Sequence, residues 1–177
     1  MGPIKFPRRY VPGNLTRKDR KSQIAMLLKS RRLYKTHKYY TRKPLSSYTN
    51  TNNTNNTNTN TNKKSNHIMD ARRIYDIQTI TPNKELAQKT GCSISSLNQI
   101  VKKGEGAYYS SGSRPNQTPQ SWGLARLASA LTAGKAAAVD YDIISKGCKH
   151  TKKAFILANK SRKQYKYGRR GIPHYTF

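Results

Sequence analysis

Large apolar side chains are too scarce in this chain to build an extensive core. Leu, Ile, Val and Phe account for 29 of its 177 residues. That is about 16%, and a content below about 20% with a high net charge is typical of segments that do not fold alone. The length is that of one ordinary domain. We therefore expect a single small core formed by about half of the chain, with the remainder becoming ordered on a partner.

The charge of the chain is strongly unbalanced. It has 35 Lys and Arg against 7 Asp and Glu, which gives a formal net charge of +28. Because such a surplus repels itself in a compact molecule, it indicates a polyanionic partner, and nucleic acid is the first candidate. The alternatives are a generally solvated surface and an acidic protein partner such as the underside of a protein shell.

The cations are concentrated at the two ends of the chain. Residues 1–43 contain 14 Lys and Arg against one acid, and residues 149–177 contain 9 and no acid. We expect a mainly α fold, with one small helical domain between extended basic arms that bind phosphates. The expected parts are a basic N-terminal arm with one helix (1–48), an Asn/Thr low-complexity linker (49–66), a small helical core domain (67–148) and a basic Tyr-rich C-terminal tail (149–177).

Apolar residues at helical spacing predict several helices. Thr16 and Asp19 form a near capping box before the first helix, and Thr118 followed by Pro119 starts the core helix, which ends before Gly134. The predicted helices cover residues 17–33, 68–75, the segment from 119 to Gly134, and 135–146, while residues 1–15 and 77–80 are expected to be extended.

Residues 83–102 resemble a helix-turn-helix, the DNA-reading unit of many repressors. A small residue is needed where two helices cross and glycine at a left-handed turn, and Ala87 and Gly91 stand at these positions. Ser93 is placed to cap the second helix. An ordinary helical hairpin gives the same pattern. As a DNA-reading unit it would present Ser95, Ser96, Asn98 and Gln99 to a groove and Lys84, Lys89, Lys102 and Lys103 to phosphates.

Two further segments have compositions that allow a structural or a binding role. In residues 34–43 tyrosines alternate with cations, which suits stacking on bases and equally suits tyrosines that pack on a protein surface. Residues 104–118 are expected to form an ordered loop that either buttresses the fold through Arg114, Asn116 and Gln117 or binds a phosphate. The other predicted phosphate-binding residues are Arg8, Arg9, Arg17, Lys18, Arg20, Lys21, Arg31, Arg32, Arg162, Lys163, Arg169 and Arg170, together with Arg114 of this loop.

The residue types that commonly catalyse reactions or bind metals are not grouped in this sequence. The seven acidic residues and the four histidines are scattered over different predicted elements. In the absence of an export signal, Cys92 and Cys148 are expected to be reduced core thiols and not a disulfide. No apolar run approaches the about 20 residues that span a bilayer. We expect no enzymatic activity, no cofactor, no metal, no small-molecule substrate and no membrane partner.

Three motifs resemble an uncharacterised domain family of nucleocytoplasmic large DNA viruses, the giant viruses. They are FPRRYVPGNLT at 6–16, GAYYSSGSRPNQT at 106–118 and SWGLARLAS at 121–129. The resemblance spans roughly residues 5–150, interrupted by the Asn/Thr tract as an insertion, and implies a viral setting without implying an activity. We therefore expect a virion protein that binds nucleic acid, DNA rather than RNA, in the virion and in the host cytoplasm or nucleus. A minor capsid or cement protein whose basic arms bind capsid subunits is the alternative.

Overall fold

A computed structural model of the chain describes residues 5–45, 48, 66–168, 171 and 173–176. The prediction of a mainly helical fold is confirmed, since these residues form eight α-helices, one short 3-10 helix at Arg8–Tyr10 and one two-stranded sheet. The elements are β1 (Lys5–Pro7), α1 (Arg17–Tyr34), α2 (Asn66–Tyr75), α3 (Lys84–Thr90), α4 (Ile94–Ser110), α5 (Pro119–Leu131), α6 (Lys135–Val139), α7 (Tyr141–Gly147), α8 (Lys153–Gln164) and β2 (His174–Thr176). The predicted Asn/Thr low-complexity linker, residues 49–66, lies outside the described residues except for Asn66.

Most of the predicted helices are present. α1 begins where expected, and the Thr16 hydroxyl accepts a hydrogen bond from the Asp19 backbone N–H over 3.1 Å. α2 and α5 also match their predicted positions, and α5 buries the apolar side chains Leu127 and Leu131. Residues 77–80 are described but form no strand. No helix in the described part of the chain combines the length and apolar character needed to cross a bilayer.

The prediction of one continuous helix over residues 135–146 is wrong. The chain leaves helical geometry at Asp140, between α6 and α7, and the Asp140 side chain is fully buried. The break places this carboxylate in the interior, where Arg126 and Lys103 contact it. Val139, the last residue of α6 before the break, is 47% exposed although it is apolar.

The chain divides into two compact units whose boundaries differ from those expected at residues 48, 66 and 148. The first, here called the N-terminal unit, consists of residues 1–63, 106–119 and 171–177. The second, here called the helical unit, consists of residues 64–105 and 120–170. The segment expected as a C-terminal tail therefore contributes to both units.

In the N-terminal unit, the segment expected to lie on a partner contributes to the core. Phe6 and Val11 are completely buried, as are Leu27 of α1 and Tyr108. β1 pairs antiparallel with β2, so that Phe6 lies opposite Tyr175. The prediction of an extended segment holds at β1 and is wrong at Arg8–Tyr10, where the chain forms a 3-10 helix. The apolar side chains of this segment pack inward. Residues 5–7 and 174–176 are thus joined by backbone hydrogen bonds.

In the helical unit, α4 and α5 approach each other closely at two glycines. A Cβ atom added to Gly104 would lie 2.6 Å from the Cα of Gly123, and one added to Gly123 would lie 2.8 Å from the carbonyl oxygen of Val101. The prediction of a loop from residue 104 is wrong, because α4 continues to Ser110. These glycines permit close packing of two helices and do not form a turn.

The prediction that the two cysteines are reduced is also wrong. Cys92 and Cys148 are buried as expected, but they form a disulfide. They lie opposite each other in an antiparallel bridge, in which the Ser93 N–H donates to the Gly147 carbonyl over 2.8 Å and the Lys149 N–H donates to the Gly91 carbonyl over 2.9 Å. The prediction of reduced thiols was based on the expected cell compartment. In the folded chain, this backbone pairing brings the two cysteine side chains together.

Candidate nucleic-acid interface

The outer face of α1 is a row of cations. Its inner face buries Gln23, Leu27 and Ser30, which recur at intervals of three and four residues. The acid of this helix, Asp19, is 7% exposed and does not lie on the outer face. The exposed cations that share the outer face are Lys18, Lys21, Lys29 and Arg32, here called the α1 basic face. At 1.5 Å per residue they extend over about 21 Å, a length suited to a series of phosphates.

The remaining predicted arginines of the N-terminal unit differ in their availability. Arg17 and Arg114 are exposed, and Arg20 is half-buried. Arg8 and Arg9 are exposed, and their guanidinium carbons lie 5.2 Å and 5.5 Å from the ring centres of Tyr175 and Tyr10. These last two cations are therefore already beside aromatic rings of their own unit.

Arg31 is engaged within the fold. Its guanidinium donates to the carbonyl oxygens of Ser111 over 2.8 Å and Lys5 over 3.2 Å, and lies 4.0 Å from the ring centre of Phe6. Burial lowers the pKa of Arg31, and the neighbouring Tyr10 opposes this effect. Arg31 thus ties α1 to β1 and to the segment after α4, which is a structural use of a predicted phosphate ligand.

Arg42, which was not among the predicted binding residues, is a buried cation. It donates to the Ser30 and Ser113 hydroxyls over 3.0 Å and 2.8 Å and to the Tyr108 carbonyl over 3.0 Å, and its guanidinium lies 3.7 Å from the centre of the Tyr108 ring. Burial lowers the pKa of Arg42, and Tyr108 opposes this effect. No acid in the described ranges forms an ion pair with it. Hydroxyls, a carbonyl and a ring stabilise the charge instead.

The stretch that contains Tyr108 also braces the segment after α1. The Asn116 side chain accepts from the Leu45 N–H over 2.7 Å and donates to the carbonyl oxygens of Leu45 and Tyr48 over 3.3 Å and 3.2 Å. Asn116 has a φ of +57°, a conformation that asparagine tolerates better than most residues. The buttressing interpretation of this stretch is thus supported at Asn116.

Three tyrosine rings meet beside the C-terminal end of α1. The helix ends in a Schellman motif, in which the Lys38 N–H donates to the Leu33 carbonyl, and the chain reverses at His37 with a φ of +56°. The reversal places the Tyr39 ring edge-on to Tyr109 at 5.0 Å and to Tyr34 at 6.1 Å. We call Tyr34, Tyr39 and Tyr109 the tyrosine cluster. Sequence alternation indicated its first two members, but no pattern indicated Tyr109, which is 70 positions from Tyr39.

The local features predicted for residues 83–102 are present in the helical unit. Gly91 ends α3 with a φ of +74°, and the Ser93 hydroxyl accepts from the Ser96 N–H over 3.2 Å at the start of α4. Leu97 and Ile100 are buried. Of the predicted groove-facing and phosphate-facing residues, Ser95, Asn98, Gln99 and Lys102 are exposed and share one face of α4, here called the α4 polar face, whereas Ser96 is half-buried and its hydroxyl pairs with that of Ser93. Its DNA-reading role stays a prediction.

The other predicted lysines and arginines of the helical unit differ in their contacts. Lys89 has its Nζ 3.8 Å from an Asp76 oxygen, and Lys103 has its Nζ 2.7 Å from Asp140. Arg162 lies over the Tyr141 ring at 4.3 Å. Lys84 and Lys163 are exposed, whereas Arg169 and Arg170 lie outside the described residues. Within the described ranges, no three His, Cys, Asp or Glu side chains are grouped to hold a metal ion.

Residues 7–146 match the sequence model of a family of unknown function, DUF5824. This match covers well over half of the chain. The chain belongs to the DUF5824 family. No curated protein and no solved structure gives a significant match.

The matched residues of the DUF5824 protein include α1, the tyrosine cluster and the α4 polar face, whereas α8 and β2 lie beyond them. The motifs quoted for the viral resemblance serve the fold. Residues 6–16 supply buried side chains such as Phe6, and residues 106–118 supply Tyr108 and Asn116. Residues 121–129 supply Gly123 at the helix crossing and Arg126 at the buried carboxylate.

Proposed function

We propose that this DUF5824 protein is a non-enzymatic nucleic-acid-binding protein that contacts phosphates, with DNA as its partner. The observation that carries the proposal is the α1 basic face. The N-terminal unit has 16 Lys and Arg and a single acid, Asp19, which is buried. Cations in this arrangement neutralise successive phosphates and release their counterions, so that binding would weaken as salt rises.

The α4 polar face supports a second contact with the same partner. Amide side chains such as Asn98 and Gln99 pair with adenine edges in a major groove, and Lys102 on the same face suits a phosphate. Replacement of Asn98 and Gln99 by alanine tests this contact. We expect a loss of sequence preference, and the groove-reading proposal fails if affinity and preference are both unchanged.

We further propose a viral setting, in which the protein is packaged in the virion and acts in the host cytoplasm or nucleus. The support is the resemblance of the three motifs, together with a positive charge that suits a packaged genome. The alternative, a minor capsid or cement protein, requires basic arms that thread between subunits. Burial of Phe6 and Val11 in the protein's own core gives that arrangement less support.

Salt titration of binding to random duplex DNA tests the proposed function. We expect a steep loss of affinity between low and physiological salt. The Lys18→Gln, Lys21→Gln and Lys29→Gln triple variant should reduce the slope of log affinity against log salt by about 0.9 for each phosphate that it no longer neutralises. A charge-matched control replaces the exposed lysines Lys146, Lys153 and Lys160 by glutamine. The proposal fails if binding is weak and independent of salt, or if both triple variants change the slope equally.

A further inference from the structure

Phosphate binding leaves the tyrosine cluster unexplained. Tyr39 is 68% exposed although its ring contacts two other rings. Single exposed aromatic residues are common on soluble proteins, but this exposed ring is held against two half-buried rings, those of Tyr34 and Tyr109. The Tyr34 and Tyr109 rings are parallel within 4°, and Tyr39 stands at about 70° to both. The cluster therefore offers one exposed ring, that of Tyr39, whose orientation is defined by two half-buried rings.

The cluster is held in place by the buried network beneath it. The Tyr109 ring packs edge-on against Tyr108 at 5.1 Å, and Tyr108 is itself fixed by Arg42. The Tyr109 carbonyl accepts a hydrogen bond from the Ser30 hydroxyl over 3.0 Å, which ties the end of α4 to α1. Because the supporting residues are buried and bonded, binding would not need to order the aromatic surface first.

The charge around the cluster is positive. Lys35 and Lys38 are exposed neighbours of Tyr34 and Tyr39 in the sequence, and Lys29 of the α1 basic face lies 4.6 Å from the ring centre of Tyr40. The N-terminal unit has no exposed acid in its described residues. An aromatic surface bordered by cations matches a ligand with a flat π face and an anionic backbone, which is the chemistry of a nucleic-acid strand.

We propose that the tyrosine cluster stacks an unpaired base of single-stranded DNA while the α1 basic face contacts the phosphates of the same strand. This inference rests on the proposed function and adds single-stranded DNA to the ligands of the α1 basic face. In a duplex the bases already stack on one another, whereas a single strand presents its bases to exposed rings. Stacking of a base on the tyrosine cluster would therefore add affinity for single-stranded DNA. Duplex DNA would be bound by the cations alone.

Three oligonucleotides of equal length, about 20 nucleotides, separate the two contributions: oligo-dT, an abasic strand of the same charge, and a duplex. We expect the protein to bind oligo-dT about tenfold more tightly than the abasic strand at one salt concentration. Tyr39→Ala should remove this difference, and Tyr39→Phe should keep it because the ring remains. Tyr167→Ala, at a tyrosine 62% exposed in the helical unit, is the matched control and should also keep it.

The outcomes distinguish the inference from the function on which it rests. Salt-dependent binding that is equal for oligo-dT and the abasic strand, or a Tyr39→Ala variant that still prefers oligo-dT, overturns the stacking inference alone. Absence of salt-dependent binding to all three ligands overturns the proposed function as well. A parallel titration with oligo-rU tests whether the bound strand is DNA or RNA. Tenfold tighter binding to oligo-rU than to oligo-dT would overturn the assignment to DNA. Because Tyr39 is exposed, its replacement leaves the core intact.

Discussion

Cys92 and Cys148 face each other across an antiparallel bridge and are joined by a disulfide, although 56 positions separate them in the sequence. The bond connects the turn between α3 and α4 to the end of α7. Gly147 beside it leaves no room for a side chain, because an added Cβ would meet the side chain of Ser96 at the start of α4. The first turn of the α4 polar face is therefore held by a covalent link and by close packing.

Reduction of the disulfide should lower the stability of the protein. A cross-link that closes a loop of 56 residues restricts the unfolded chain and contributes about 4 kcal/mol to stability. Urea unfolding with and without dithiothreitol measures this effect. The Cys92→Ser and Cys148→Ser double variant is the control. Its unfolding midpoint should match that of the reduced protein and should not change when dithiothreitol is added. Equal midpoints for the oxidised and reduced protein would show that the bond contributes nothing.

Two glycines of α4 should respond oppositely to alanine. Gly104→Ala places a Cβ 2.6 Å from backbone of α5, so the helices must separate and the free energy of unfolding should fall by about 2 kcal/mol. In Gly106→Ala the nearest atom is the Tyr34 hydroxyl at 3.8 Å, and the higher helix propensity of alanine should raise stability by about 0.5–1 kcal/mol. Denaturant unfolding of both variants tests the assignment of Gly104 to a helix crossing, and equal effects would refute it.

The buried carboxylate of Asp140 should be a main contributor to the stability of the helical unit. Arg126 donates to both of its oxygens, over 2.7 Å and 2.8 Å, and Lys103 lies 2.7 Å away. Asp140→Ala removes the acceptor from two cations and should cost about 3 kcal/mol. Asp142→Ala, two positions along and exposed, should change stability by less than about 0.5 kcal/mol. A similarly small effect of Asp140→Ala would mean that solvent compensates for the loss of both cation contacts.

Acid should destabilise the protein through His67. Burial lowers its pKa from the ordinary value, with Asp70 opposing the shift, and a ring nitrogen lies 3.0 Å from the Thr132 hydroxyl. Because the folded state holds its proton less tightly than the unfolded state, the stabilisation is present above the unfolded pKa of about 6.5 and is lost as pH falls through the folded pKa. Unfolding midpoints at about pH 7.5 and about pH 5.5 measure the loss.

His67→Gln removes the titrating group and supplies the control. Its unfolding midpoint should fall less than that of the wild-type protein over the same pH interval. An identical pH dependence in the two proteins would assign the acid sensitivity to other residues.

Local sequence signals predicted the helices whose ends they encode. Thr16 as a cap, Pro119 at a first helical position and Gly91 at a left-handed turn each act within one turn of helix, so their effect can be read without the tertiary structure. The same reasoning placed the exposed residues of the α4 polar face on one side. Sequence signals that depend on packing led to wrong predictions. Gly104 was expected in a loop because glycine favours turns, but it lies where two helices contact each other.

By itself the sequence determined the helical class, the positive charge and the positions of the locally encoded helix ends. Charge and helix caps depend on composition and on neighbouring residues. The tertiary structure decided the disulfide, the break at Asp140 and the meeting of Tyr39 with Tyr109, because each joins groups that are distant in the chain or buried by it. Such contacts form only when backbone segments pair and helices pack. The spacing of residues along the chain does not reveal which distant residues will meet.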